Sequence, residues 1–170
     1  MLERLFDVIS VFFDSTWGFL AFLAIAVIIV FSFSKHRKVF LITLVLAVLL
    51  SAGLKEVFSH ERPCVETGSL PCPAPYAGFP SNHALVATVI VLGALGTAWF
   101  WPFLFFAIAI SLSRIWLGVH SFDQVSGGIA LGAIVFLAVF ELNQKIYGEY
   151  ISGFDLDELL DDNLLNKRVA

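Results

Sequence analysis

Charge is scarce in this sequence. Asp, Glu, Lys and Arg make up 14% of its 170 residues, hydrophobic residues make up 59%, and mean hydropathy is +0.90. Soluble globular domains carry about 25% charged residues, so the balance excludes water as the chain's main solvent. The long apolar runs lack polar alternation, which excludes the strands of a membrane barrel. No small-residue cleavage pattern follows the first run, and Glu3 and Asp7 stand beside Arg4 ahead of it, which argues against a cleaved signal peptide. Repeats and low-complexity tracts are missing as well, leaving one helical bundle as the economical reading.

Five apolar runs remain: Trp17 to Phe33, Val39 to Leu54, His83 to Phe100, Phe103 to Leu117 and Val125 to Phe140. In lipid every backbone amide must be paired within its own segment, so such runs are helices. At about 1.5 Å per residue they approach the roughly 30 Å of a hydrocarbon core. Ahead of them, Leu2, Leu5, Phe6, Ile9, Phe12 and Phe13 recur at helical spacing, which suggests an interfacial helix or an extension of the first span. The expected fold is therefore all-α: an integral membrane bundle of about five transmembrane helices plus an N-terminal interfacial helix. Residues 1–147 form the membrane domain, with the interfacial helix at 1–15 and a long loop at 55–82. Residues 148–170 form a tail with Asp155, Asp157, Glu158, Asp161 and Asp162 among leucines, which supplies most of the net charge of −4 and suggests no chemistry.

Sidedness follows from the loop Ser34 to Lys38, "SKHRK", whose three basic residues place it in the cytoplasm. By parity the tail is cytoplasmic and the 55–82 loop extracytoplasmic. That loop holds the only two cysteines, Cys64 and Cys72. A disulfide between them suits an oxidising compartment; two unrelated thiols are the alternative. Their spacing does not match the common zinc ligand pairs, and His60 lacks companions, so no metal is expected. Gly128 and Gly132 give the last run a small-xxx-small face, suited to close packing within the bundle or to dimerisation.

Parity gathers Lys55, His60, Glu61, Arg62, His83, Arg114, His120 and Asp123 at the outer end. Arg114 lies inside an apolar run, where an unshielded charge costs about 2.5–3.5 kcal/mol on insertion scales. Three cations with histidines suit phosphate, which Arg grips with a two-pronged fork and Lys with a compact charge. Pro80 and Ser81 mark a helix start whose free N–H groups favour an anion at the same point. Taken singly, Lys55 and Arg62 could snorkel to headgroups, Ser81 could be only a cap, and His83 and His120 could be polar interface residues.

Taken together, "KEVFSHERP" (Lys55–Pro63), "PSNH" (Pro80–His83) and "SRIWLGVHSFDQ" (Ser113–Gln124) resemble the three-part signature of the type-2 phosphatidic acid phosphatase superfamily. Order and internal spacing agree over residues 55–124. The resemblance implies that His120 is the nucleophile and carries a transient phosphohistidine, and that His83 protonates the leaving group. It also implies that Lys55, Arg62 and Arg114 hold the phosphoryl oxygens, with Ser81 and the amides of Asn82 and His83 assisting. Asn82 departs from the usual glycine. The carboxylate expected four residues after the nucleophile is replaced by Gln124, with Asp123 one place earlier. Glucose-phosphate phosphatases of the superfamily carry a glutamine in a similar stretch. Either Asp123 or Gln124 supports His120, and the expectation falls on Asp123. Arg114 and His120 would point apart on a continuous helix, and Gly118 offers a place for it to end.

The resemblance implies a metal-independent phosphatase with no cofactor, acting at the extracytoplasmic face of a cell membrane. Its substrate would be a lipid phosphate or diphosphate: a polyprenyl diphosphate such as undecaprenyl diphosphate, phosphatidylglycerol phosphate, phosphatidic acid or a phosphorylated glycolipid. The bilayer and the lipid are the expected partners, nucleic acid is not, and the oligomeric state is left open. A lipid phosphotransferase and a non-catalytic anion-binding or transport protein are the alternatives.

Overall fold

The structure, a computed structural model, describes residues 2–67, 72 and 74–152. Every regular element among them is a helix: α1 (Leu2–Asp14), α2 (Thr16–Phe33), α3 (Arg37–Phe58), α4 (Pro63–Thr67), α5 (Asn82–Gly93), α6 (Phe100–Trp116) and α7 (Phe122–Ser152). The first helix is not an extension of the first span. Ser15 is extended between α1 and α2, and its hydroxyl accepts the Gly18 N–H at 3.0 Å, capping α2.

Helices α2, α3 and the apolar part of α7 (Phe122–Ile146) are long and apolar enough to cross a membrane, yet only 17%, 28% and 28% of their apolar windows are buried within the protein. Ile25, Ile28, Val45, Leu49, Ile134 and Leu137 face outward instead. Each square ångström of such surface left in water costs about 25 cal/mol. Lipid removes that cost, and the fold is a helical membrane bundle.

The run expected to continue to Phe100 stops at Gly93, so α5 has 12 residues and rises only about 18 Å. Gly96 takes a positive φ of 75°, and the Thr97 hydroxyl accepts the Trp99 N–H, so this stretch turns before α6 begins. A helix apolar all round belongs in a bundle's interior. Leu85, Val89 and Ile90 of α5 are accordingly buried, packed with Val30 of α2, Phe40 and Ala47 of α3 and Phe103 of α6. From the other side α7 approaches. A Cβ at Gly132 would lie 2.9 Å from the Leu85 carbonyl, and one at Gly128 would strike the Ser81 carbonyl. The small-residue face is thus used inside the bundle, against α5.

Helix α3 continues one turn past its apolar run to Phe58, where Ser59 turns left-handed at φ 41°. Lys55 therefore sits on the last turn of α3, not at the start of the loop. Beyond it, Cys64 of α4 is joined to Cys72 by a disulfide. Residues through Val139 form one compact unit, and the rest of α7 belongs to a second. The boundary expected after residue 147 falls inside α7, and the acidic residues 155–162 lie outside the described residues.

Candidate active site

Helix α6 ends where its sequence permits a left-handed residue. Gly118, at φ 65°, lets the Val119 N–H return to the Arg114 carbonyl at 3.2 Å and its own N–H to Ile115 at 2.9 Å. This paired closure satisfies the last carbonyls of the helix. His120 N–H also reaches the Arg114 carbonyl, at 3.1 Å. The chain reverses within four residues, so Arg114 and His120, which a straight helix would separate, share one end of the bundle.

Gln124, one turn into α7 and fully buried, supports His120. The imidazole Nδ1–H donates to Gln124 Oε1 at 3.0 Å, and the Ser121 N–H donates to the same oxygen at 3.3 Å. The other end of the amide donates to the Glu61 carbonyl at 2.6 Å and to His60 Nδ1 at 2.8 Å. These backbone partners decide which end of the amide is oxygen. Nδ1 of His120 therefore carries the proton, and Nε2 keeps its lone pair. The expectation for Asp123 is corrected: its carboxylate is largely exposed and stands 3.8 Å from His60 Nε2. One residue along a helix turns a side chain by about 100°, and that rotation takes Asp123 away from the ring. An ionised carboxylate at position 124 would have no hydrogen for the Glu61 carbonyl, so this site requires an amide.

The second histidine stands at the start of α5. Ser81 precedes that helix in extended conformation, and its N–H is bonded to the Gln124 carbonyl at 3.0 Å. The ring of His83 lies 4.1 Å from that of Phe19 and hydrogen-bonds a backbone group of Phe13. Arg114 is held from the same direction. Its Nη1 donates to Asp14 Oδ1 at 2.8 Å, its Nη2 to the Ser10 carbonyl at 3.3 Å and its Nε to Ser113 Oγ at 3.3 Å. Three of its five N–H donors are thereby used, leaving two.

Lys55 Nζ donates to the Ala77 and Pro80 carbonyls, both at 2.8 Å, and so pins the chain that leads into α5. Arg62 Nη2 reaches the Ala77 carbonyl at 3.5 Å, while Arg62 Nε and Ser81 Oγ are buried with no protein partner. Buried donors of this kind are costly unless something accepts from them. The side chain of Asn82 is tied to the Ser51 hydroxyl of α3, so the residue that replaces the usual glycine is held at the helix start.

Arg62, Lys55 and His83 all lie within electrostatic reach of His120. Burial first, then Arg62, Lys55 and His83, outweigh the Gln124 hydrogen bond and push its pKa down to about 3. The ring is neutral at physiological pH. Burial and the Arg114 charge lower the pKa of Arg62, against the opposing pull of Asp14. Lys55, Arg62, His83, Arg114 and His120 thus form one cluster. Asp123 belongs only to a neighbouring polar pocket of about 350 Å³, lined by His60, Glu61, Arg62, Glu66 and Ser121 among others.

Residues 37–147 match the model of the PAP2 superfamily. The chain belongs to that superfamily. PAP2 proteins are phosphatases, and this one is a helical membrane protein. It is 38% identical over 72 residues to the bacitracin transport permease protein BcrC of Bacillus licheniformis, a match covering 40% of this chain and 34% of the relative. The chain therefore matches about a third of that relative's length. No solved structure matches it.

Asp14, Phe13 and Phe19 precede the PAP2 match and carried no functional signal in the sequence; Phe13 and Asp14 reach the cluster because α1 packs on α6, and Phe19 because α2 packs on α5. Ser51 looks like an ordinary polar residue of a span. His60 was visible only as a histidine without companions, and its partner is Gln124, 64 positions away.

Proposed function

We propose that this protein hydrolyses a lipid phosphate or diphosphate at the extracytoplasmic membrane face through a phosphohistidine. The observation that carries the reading is His120, neutral, with Nδ1–H fixed on Gln124 and Nε2 free within electrostatic reach of Lys55 and Arg62. Phosphoryl transfer needs an in-line nucleophile and positive charge around the equatorial oxygens. His120 Nε2 bonds to phosphorus as the bond to the leaving oxygen breaks, and that oxygen takes a proton from His83. Water then attacks the phosphohistidine, releases phosphate and regenerates both rings.

The lipid part of the proposal rests on the surroundings. An apolar groove of about 330 Å³ lies between α5, α6 and α7, lined by Leu104, Ile108, Ile115, Phe122, Val125 and Ile129 among others. Ile115 adjoins Arg114, and Phe122 and Val125 flank Asp123 and Gln124, so a lipid chain can rest there while its headgroup meets the cations. A polyprenyl diphosphate is the first candidate, with phosphatidylglycerol phosphate, phosphatidic acid and phosphorylated glycolipids next. The basic 34–38 loop and the disulfide favour the outward orientation.

The test is phosphate release by the purified protein from a panel of these lipids, with acid-labile labelling of the protein as a second readout. His120→Asn loses both, release falling by about 10⁴-fold or more, while vanadate inhibits the wild type. Label passing to an added lipid without release of phosphate establishes the phosphotransferase instead. The name of the Bacillus relative, a transport permease, favours one further reading, transport. Bacitracin uptake or efflux in vesicles that persists in His120→Asn supports that reading over catalysis.

A further inference from the structure

We propose that His60 is a positioning residue: with the Glu61 carbonyl it fixes the Gln124 amide, and through that amide the tautomer of the His120 nucleophile. The proposal deepens the phosphatase reading, and its effect on rate rests on that reading.

The argument begins with a departure from the superfamily pattern. A carboxylate presents the same face whichever way it turns, so it can support a histidine by itself. An amide has a donor end and an acceptor end, and only one orientation serves His120. Reversed, the Gln124 NH₂ would face His120 Nδ1 and the Ser121 N–H, while its oxygen would face the Glu61 carbonyl. His120 would then have to accept at Nδ1 and carry its proton on Nε2, where the attacking lone pair is needed.

Two acceptors prevent the reversal, the Glu61 carbonyl at 2.6 Å and His60 Nδ1 at 2.8 Å. The carbonyl acts only while Gln124 is its donor. His60 Nδ1 is itself 3.1 Å from that carbonyl, so a proton on Nδ1 would both oppose the Gln124 NH₂ and compete for its partner. The neutral His60 with Nδ1 bare is the state that keeps the amide in place. Its Nε2 then faces Asp123 Oδ2 at 3.8 Å. Asp123, although it does not touch His120, favours the Nε2–H form of His60. Around this ring the charged groups are Asp123 from α7, Glu66 from α4, and Glu61 and Arg62 from its own loop, with the Phe79 ring 6.4 Å away.

Access to the loop is built into the chain. Gly78 donates its N–H to the His60 carbonyl at 2.8 Å, and a Cβ there would collide with the Gln124 NH₂. Four segments, at 60–61, 78, 120–121 and 124, thus meet on one amide.

The experiment uses the full chain in nanodiscs and compares wild type with His60→Ala and His60→Asn. It measures kcat, KM and pH profile on a lipid phosphate that the wild type turns over, and records ¹⁵N spectra of the labelled histidines. Loss of one part-buried hydrogen bond predicts a fall in kcat of about tenfold in His60→Ala, with KM unchanged and an Nε2–H population appearing at His120. His60→Asn, whose Oδ1 can take the place of Nδ1, restores most of the rate. Wild-type kcat and a wild-type His120 spectrum in His60→Ala overturn the proposal. So does an equal loss in the Ala and Asn variants, which marks a merely structural role. Should the wild type release phosphate from no lipid, the phosphatase reading fails, and the His120 tautomer in His60→Ala still decides the proposal.

Discussion

His120 and His83 stand in one electrostatic cluster, but their supports differ in kind and in origin. His120 is wired by neutral hydrogen bonds to Gln124 and, through it, to the loop after α3, all within the 37–147 segment that defines the superfamily. His83 and its neighbour Arg114 are backed by residues from outside that segment: Phe13, Phe19, the Ser10 carbonyl and the Asp14 carboxylate. The first support fixes a proton on one nitrogen, which a neutral amide can do because its ends differ. The second restrains a cation without neutralising the whole cluster, which calls for a single carboxylate. On the proposed mechanism, the segment that matches the superfamily sets the reactivity of His120, and the N-terminal residues set the charge offered to the substrate.

The sharpest way to break the comparison is at Gln124. Gln124→Ala removes the acceptor for His120 Nδ1 and strands the Glu61 carbonyl and the Ser121 N–H, so kcat falls about 100-fold with KM little changed. Asp123→Asn, which replaces a carboxylate facing His60 and Ser121 but not His120, stays within about threefold of wild type, the scale of a weak exposed ion pair. Steady-state phosphate release from both variants checks this. A larger loss from Asp123→Asn than from Gln124→Ala would return the supporting role to Asp123.

The sequence disclosed more of one side than of the other, for a physical reason. Lys55, Arg62, Ser81, His83, Arg114 and His120 could be named together because motif spacing records which chain ends meet at one end of the bundle. The end of α6 was legible too, since a glycine two residues before His120 is the natural place for a left-handed turn. The choice between Asp123 and Gln124 was not legible. It depends on 100° of helical rotation and on the Glu61 carbonyl that accepts from Gln124, neither of which has a local signature. Asp14 was hidden because its partner lies 100 positions away and α1 reads only as an amphipathic segment. The premature end of α5 was hidden by apolar composition, which continues past Gly93 although the helix does not.

The next largest effect concerns stability. The folded pKa of His120, about 3, lies below the 6.5 of a free histidine. Between those values the unfolded chain binds the proton and the folded one does not. Stability contributed by this site is therefore complete above about pH 6.5 and is lost as pH falls toward 3. From pH 6.5 to 5 the loss is about 2 kcal/mol, at 1.36 kcal/mol per unit. Thermal unfolding in detergent should show a midpoint that falls across that range in the wild type and falls less in His120→Asn. Parallel curves for the two proteins would mean that His120 is already protonated in the folded state, and the neutral nucleophile would be lost with it.

The smallest effect tests the other support. Asp14 holds Arg114 but also places a negative charge beside the position a phosphate must occupy. Asp14→Asn keeps an oxygen for the Arg114 Nη1 hydrogen and removes the charge. Two unit charges some 4–6 Å apart near a water-accessible mouth interact by about 1 kcal/mol. Removing that repulsion predicts a KM about fivefold lower, with kcat within twofold and the Gln124 variants unaffected in their own ratio. Asp14→Ala, which also leaves the guanidinium unrestrained, should give up that gain. A raised KM in Asp14→Asn would show that the carboxylate itself orients the fork, and the two supports would then be alike in kind: each would act by holding a donor in place.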